Sequence, residues 1–281
     1  MTPISLDFSR RTELGVEARA IGVVSGIAAQ MDVPVLIVGA FARDLHIRTR
    51  FGMDPERVTE DIDLALAVRD WQVFDDLRER LIASKEFTRR PRVPHALRHV
   101  TGLAVDLVPF SGVETAERRI AWPPDNDFVM DVFGFQEALA AAHDVNLPDN
   151  IPAKLISLPA LAMLKLVTWK ARHNHTPGKD AHDLMLIAGN YCALGNADRL
   201  WDEFAGWTDE DQFDYDLAGA RMLGRDMRAL LDRHGAERIA AILAEETDEE
   251  SPGKLTGAMH PADPNKARNL LAALYQGLLE V

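Results

Sequence analysis

The spacing of hydrophobic positions changes several times along the chain, and each change predicts an element. Residues 13–30 carry Val16, Ala20, Val23 and Ile27 at helical spacing, and an unbroken apolar run from Val33 to Val38 then stops at Gly39. The first pattern predicts a helix and the second a buried strand. From Phe41 to Ile47 the spacing is helical again, and the polar stretch RTRFGMDPER reads as a turn. Over Thr59–Leu66 the period drops to two, which predicts a strand with Ile62, Leu64 and Leu66 on one face. An amphipathic helix follows at 70–83 through Trp71, Phe74, Leu77 and Leu81. A further strand runs from Leu103 to Val108 and is closed by Pro109.

This order of strand, helix, strand, helix, strand implies one small mixed sheet backed by helices. From Val145 to Pro159 the chain has three prolines and reads as a connection. Beyond it nearly every segment has helical spacing: 159–172, 180–193, 214–234, 236–246 and 264–279. The expected fold class is therefore α+β, with a sheet-bearing domain over 1–147 and an all-helical domain over 148–281. The aromatic residues Trp201, Phe204, Trp207, Phe213 and Tyr215 are expected in the core or at a lobe interface.

Composition narrows the function classes. No window approaches the roughly 18 apolar residues of a membrane span, and the first residues lack the apolar core of a signal peptide, so a cytoplasmic protein without a membrane partner is expected. The single cysteine, Cys192, cannot form an internal disulfide and leaves a Cys-based zinc site without ligands. The formal charge is −13, spread over both halves, which weakens the case for a long nucleic-acid partner that must neutralise many phosphates. A local exception is 85–99, KEFTRRPRVPHALRH, with five Lys or Arg against one Glu; it reads as a solvated, proline-punctuated loop or as an RNA contact.

Four Asp-x-Asp pairs occur, Asp61/Asp63, Asp125/Asp127, Asp209/Asp211 and Asp214/Asp216, and only the first lies in an alternating segment. There, Asp61 and Asp63 project together from the strand face opposite Ile62 and Leu64. Two carboxylates on one face repel each other unless positive charge lies between them. In the later strand, Asp106 is the only acid in an apolar run, LAVDLVPF, and opposes Val105 and Leu107. Three carboxylates on neighbouring strands make an all-oxygen site suited to Mg²⁺, with Mn²⁺ as an alternative, and to two-metal phosphoryl transfer. Upstream, Gly39-Ala40 and Arg43 sit where a buried strand turns into a helix, so backbone amides there can cradle a phosphate. Thr59, just before the acid pair, caps a turn or touches a phosphate.

The segments VGAFARDL, TEDIDLAL and AVDLVPF, in that order, resemble the three motifs of polymerase-β-fold nucleotidyltransferases. LAMLKLVTWKARHNHTPGKDAHDLMLI resembles the fourth motif of the AbiEii-like nucleotidyltransferases, the toxins of type IV toxin–antitoxin systems. The resemblance spans about 33 to 190. It implies that Asp61 and Asp63 bind both metals, and that Asp106 binds the catalytic metal and helps to deprotonate the acceptor. It implies also that Lys165 neutralises triphosphate charge while Asp180 and Asp183 line the same cleft. One departure stands out: the usual Gly-Gly or Gly-Ser of the first motif is Gly39-Ala40 here, which removes a hydroxyl donor to phosphate.

The implied activity is transfer of a nucleoside monophosphate from an NTP to an acceptor, with the 3′ end of tRNA or another RNA first, and an antitoxin protein as partner. An aminoglycoside-type small-molecule acceptor is the alternative within enzymes. A non-catalytic nucleotide-binding or interaction protein is the alternative outside them. For Lys165 the plain reading is a surface lysine, and for Asp180 and Asp183 it is acids that favour a helix start. The pairs His95/His99 and His173/His175 have metal-like spacing but no added carboxylate or cysteine to complete a site.

Overall fold

The structure, a computed structural model, describes residues 6–53, 61–91, 93, 95–174, 177–209, 213–248 and 250–280. Contacts divide the chain into two compact units, one formed by Met1–Leu45 and Glu56–Ser157, the other by His46–Pro55 and Leu158–Val281.

The first unit is built on a mixed eight-stranded sheet. Its elements in chain order are β1 (Leu6–Asp7), α1 (Gly15–Ala29), β2 (Val35–Val38), α2 (Gly39–Asp44), β3 (Asp61–Val68), α3 (Trp71–Ala83), β4 (Phe87–Arg89), β5 (Ala96–His99), β6 (Ala104–Ser111), β7 (Arg119–Ala121), β8 (Val129–Asp131), α4 (Phe135–Ala140), β9 (His143–Leu147) and β10 (Ile151–Leu155). The strand order is β1-β9-β10-β2-β3-β6-β5-β4, and β7 and β8 form a separate two-stranded sheet. The three strands expected from hydrophobic pattern, β2, β3 and β6, are adjacent at the middle of the large sheet. Their apolar runs are dictated by that place: Leu36, Ile37, Leu64, Ala65, Leu66 and Leu107 are all fully buried.

Three local expectations are corrected. Pro109 does not close its strand; β6 continues to Ser111. The amide of Leu107 donates towards β5, to the His95 carbonyl at 2.8 Å, so by strand alternation position 109 faces the same side, past the end of β5. A missing N–H therefore costs no ladder bond there. Residues 85–99 are not a loop throughout, because β4 and β5 pair antiparallel within them and β5 pairs with β6. The proline-marked stretch read as a connection is a β-hairpin, β9 and β10 pairing from Ile151 and Leu147 outward, with β10 lying parallel to β2.

The second unit is helical, as expected, with α5 (Leu158–Arg172), α6 (Pro177–Ala188), α7 (Ala197–Asp202), α8 (Tyr215–Leu230), α9 (Arg233–Thr247), α10 (Lys254–Met259) and α11 (Pro264–Leu279). Asp214, Asp232 and Asp263 cap α8, α9 and α11, each accepting a backbone amide three residues on. Helices α8 and α11 approach through glycine: a Cβ on Gly224 would lie 2.0 Å from the Leu274 carbonyl oxygen, and one on Gly277 would lie 1.8 Å from that of Arg221. Trp201, Phe213 and Tyr215 are exposed rather than core residues, since they lie on short or terminal segments around α7 and the start of α8. No helix among the described residues is long and apolar enough to cross a membrane.

Candidate active site

The parallel register of β3 and β6 sets the site. Asp63 pairs directly with Asp106, and Asp61 with Ala104, so Asp61, Asp63 and Asp106 stand on the same face of the sheet at the start of both strands. The residues between them, Ile62 and Val105, fill the opposite face and are buried. On its other edge β3 pairs with β2, and Val38 lies opposite Asp63. That brings the next residue, Gly39, onto the Asp63 carboxylate. Its φ is +70°, and a Cβ there would sit 1.9 Å from Asp63 Oδ2. The glycine is required twice, by backbone conformation and by space.

Burial raises the Asp106 carboxyl above the ordinary value; His95 opposes that shift, Asp61 adds to it, and Arg90 opposes it. The Arg90 guanidinium lies 3.7 Å from Asp106 Oδ1, an ion pair too long to be a hydrogen bond. Asp106 Oδ1 is buried and has no hydrogen-bond partner. Burial lowers the pKa of His95, partly offset by Asp106 and reinforced by Arg90 and Arg78. Its ring is therefore held neutral next to a carboxylate.

Among the described residues, no group of three His, Cys, Asp or Glu side chains is drawn together at metal-holding distance. The donor set nonetheless fits a hard divalent ion: oxygen ligands on one sheet face, one of them buried and unsatisfied.

The other predicted residues fall in three places. Ala40 and Arg43 are buried in α2, and Arg43 donates to Asp44 Oδ1 from Nε and from one terminal nitrogen at 2.8 and 2.6 Å. Thr59 lies outside the described residues. Lys165, Asp180 and Asp183 meet within the helical unit. Lys165, on α5, is buried rather than a surface lysine, and its Nζ lies 2.5 Å from Asp183 and 3.2 Å from Asp180 on α6. Arg172 reaches the same Asp180 through two bonds of 2.9 and 3.1 Å. Two buried acids are thus matched by two basic groups, the arrangement that makes such burial tolerable. The remaining Asp-x-Asp pairs are placed otherwise: Asp125 and Asp127 are on an exposed loop, and Asp214 caps a helix.

Sequence reasoning missed Arg90 and the Asp106–His95 proximity. The signal for Arg90 was its basic stretch, but a sequence cannot say that β5 folds that stretch against β6.

A family model, the nucleotidyl transferase AbiEii toxin of type IV toxin–antitoxin systems, matches residues 37–267. No curated protein sequence matches the chain. Among solved structures, similarity is found to an antigenic nucleotidyltransferase-like protein from Paracoccidioides brasiliensis, with 21% identity, a TM-score of 0.40, and coverage of 61% of this chain and 74% of that one. The antibiotic-resistance factor ANT(2'')-Ia is similar at 16% identity and a TM-score of 0.39, covering 69% of this chain and 96% of that one. The CCA-adding enzyme of Thermotoga maritima, solved with tRNA, is similar at 12% identity and a TM-score of 0.25, covering 94% and 78%. Likenesses this low say nothing of substrate. The family match spans most of the chain and includes β3, β6 and the Lys165 cluster, and on it the chain belongs to the AbiEii nucleotidyltransferases.

Proposed function

We propose that this nucleotidyltransferase is metal-dependent, using Mg²⁺ or Mn²⁺, and transfers a nucleoside monophosphate from an NTP to the 3′ hydroxyl of an RNA, with tRNA as the first candidate. In the cell it would act as a cytoplasmic toxin held by a cognate antitoxin protein. The observation that carries the reading is the Asp63–Asp106 register with Asp61 on the same face and Gly39 closed over Asp63.

Asp61, Asp63 and Asp106 would hold the metal, which supplies charge stabilisation to the phosphates and to the departing pyrophosphate. The chain's own groups do the rest. The acceptor oxygen bonds to the α-phosphorus, the bond to the pyrophosphate oxygen breaks, and the acceptor proton passes to Asp106. A carboxylate whose pKa is raised by burial is a better base than a free one. Oδ1 accepts no hydrogen bond and is the atom assigned to receive the proton. Gly39 and Ala40, with Thr59, are assigned to the phosphates, where a small side chain leaves the backbone reachable. Arg43 supports that turn through Asp44. Lys165, Asp180 and Asp183 are assigned to nucleotide binding on the family resemblance. Asp183 and Asp180 take two of the three donors of the Lys165 ammonium, and the third is the one assigned to a phosphate.

Purified protein incubated with labelled NTPs, Mg²⁺ and total RNA tests the reading. Label should pass to RNA and vanish in Asp61→Ala. Label on an aminoglycoside and not on RNA would replace the acceptor, and no label on any acceptor would leave a non-catalytic binding protein.

A further inference from the structure

Beside Asp106 a run of aromatic rings leads outward to solvent. Trp71 on α3 meets Trp122 edge-on at 5.8 Å. Trp122 meets Phe128 at 5.4 Å and His95 at 5.3 Å, and the His95 and Phe128 rings lie 5.8 Å apart and nearly parallel at 16°. Trp122 is buried, whereas Phe128 at the open end is 52% exposed and its neighbour Val129 is 53% exposed. A single exposed phenylalanine is ordinary. This one ends a continuous stack whose inner member, His95, adjoins Asp106 along the sheet: Ala96 pairs with Asp106, and the His95 carbonyl accepts the Leu107 amide at 2.8 Å.

Three atoms of the same neighbourhood are buried without a hydrogen-bond partner: Trp122 Nε1, His95 Nδ1 and Asp106 Oδ1. Orphaned polar atoms in one cluster indicate a place kept for a polar molecule. Arg90, one-third exposed, supplies positive charge at the Asp106 end. Asp125 and Asp127, on the exposed loop before Phe128, supply negative charge at the other.

We propose that Phe128, backed by Trp122 and His95, is the acceptor subsite, on which the unpaired terminal base of a single-stranded RNA stacks while Arg90 meets its phosphate. The inference rests on the acceptor chemistry proposed above for Asp106. A base has an apolar face, which suits the exposed Phe128 ring, and Trp122 and His95, each with an orphaned ring nitrogen, pack behind it. The acidic loop repels a long phosphate backbone, so the subsite takes a strand end and not a duplex. Binding should depend weakly on salt, because few phosphates are neutralised.

The test uses the full chain without NTP or metal, and reads the fluorescence anisotropy of a labelled short single-stranded RNA. Wild type should bind it better than a blunt duplex of the same sequence. Phe128→Ala should weaken binding by roughly tenfold or more, and Phe128→Tyr should restore it. In the transfer assay Phe128→Ala should raise the KM for RNA while the KM for NTP and kcat at saturating RNA stay unchanged. Equal affinity of wild type and Phe128→Ala for the single strand would overturn the subsite. The two readings fail separately. Loss of transfer in Asp61→Ala with Phe128→Ala unaffected sinks only the subsite. RNA binding that needs Phe128, with no transfer to any acceptor, sinks only the enzymatic reading.

Discussion

Replacing Gly39 by alanine is the sharpest single probe of the site. The residue has φ +70°, and its added Cβ would lie 1.9 Å from Asp63 Oδ2, 2.7 Å from Cγ and 2.9 Å from the Asp63 Cβ. Contacts under 3.0 Å are not tolerated, so the carboxylate oxygen must retreat by about 1.1 Å, the difference between 3.0 and 1.9. The Asp63 backbone is locked in register with both Val38 and Asp106, which leaves side-chain rotation or local strand displacement as the routes. The left-handed backbone costs alanine about 1–2 kcal/mol. Misplacing a reacting group by about 1 Å costs on the order of a hundredfold in rate. Gly39→Ala should therefore remain folded, lose about 1–3 kcal/mol in urea unfolding and lose about a hundredfold or more in nucleotide transfer. Gly257→Ala, in α10 with nothing within 4 Å of the added methyl, is the matched control and should keep both properties. A Gly39→Ala protein with wild-type transfer would refute the claim that this glycine sets the position of Asp63.

Further outcomes follow from the same geometry. Burial raises the Asp106 pKa above 3.8, so the protonated form is favoured on folding, and its contribution to stability is lost as pH rises through the raised value. Asp106→Asn should abolish transfer yet flatten the fall in stability as pH rises above 3.8, read by urea unfolding across pH; an unchanged pH profile would contradict a carboxyl whose pKa is raised by burial. Lys165→Met takes the 2.5 Å basic partner from Asp183 and, among the described residues, one of two basic partners from Asp180, and should destabilise the helical unit by about 3–5 kcal/mol. Adding Asp183→Asn should recover much of that loss, and a double variant no better than the single would show that charge pairing is not the cause. Gly277→Ala drives a methyl to 1.8 Å from the Arg221 carbonyl oxygen, so α8 and α11 must separate; calorimetry should show a loss of about 1–3 kcal/mol.

Much of the fold was legible because the central strands are the apolar ones. β2, β3 and β6 are flanked by other strands, so their side chains must be hydrophobic on the packed faces, and that periodicity survives in the sequence. β4, β5, β9 and β10 lie further out, are short, and carry Arg, Lys, Asp or Pro. Their strand character comes from pairing with a neighbour, which no local pattern encodes. The helices were legible for the opposite reason. Helices α3, α8, α9 and α11 each carry spaced apolar positions and are started by an aspartate cap, both of which are local.

At the site, alternation alone determined that Asp61 and Asp63 share a strand face and that Asp106 opposes Val105 and Leu107. Which face of the sheet Asp106 would join, and beside which residue, waited on the parallel register that sets it next to Asp63. Only the folded chain could bring Gly39 onto the Asp63 carboxylate, Arg90 towards Asp106, and two acids of α6 onto Lys165. The reason is physical: a residue's neighbours along the chain decide its period, whereas its neighbours in space follow from strand order and register, which the whole core selects together.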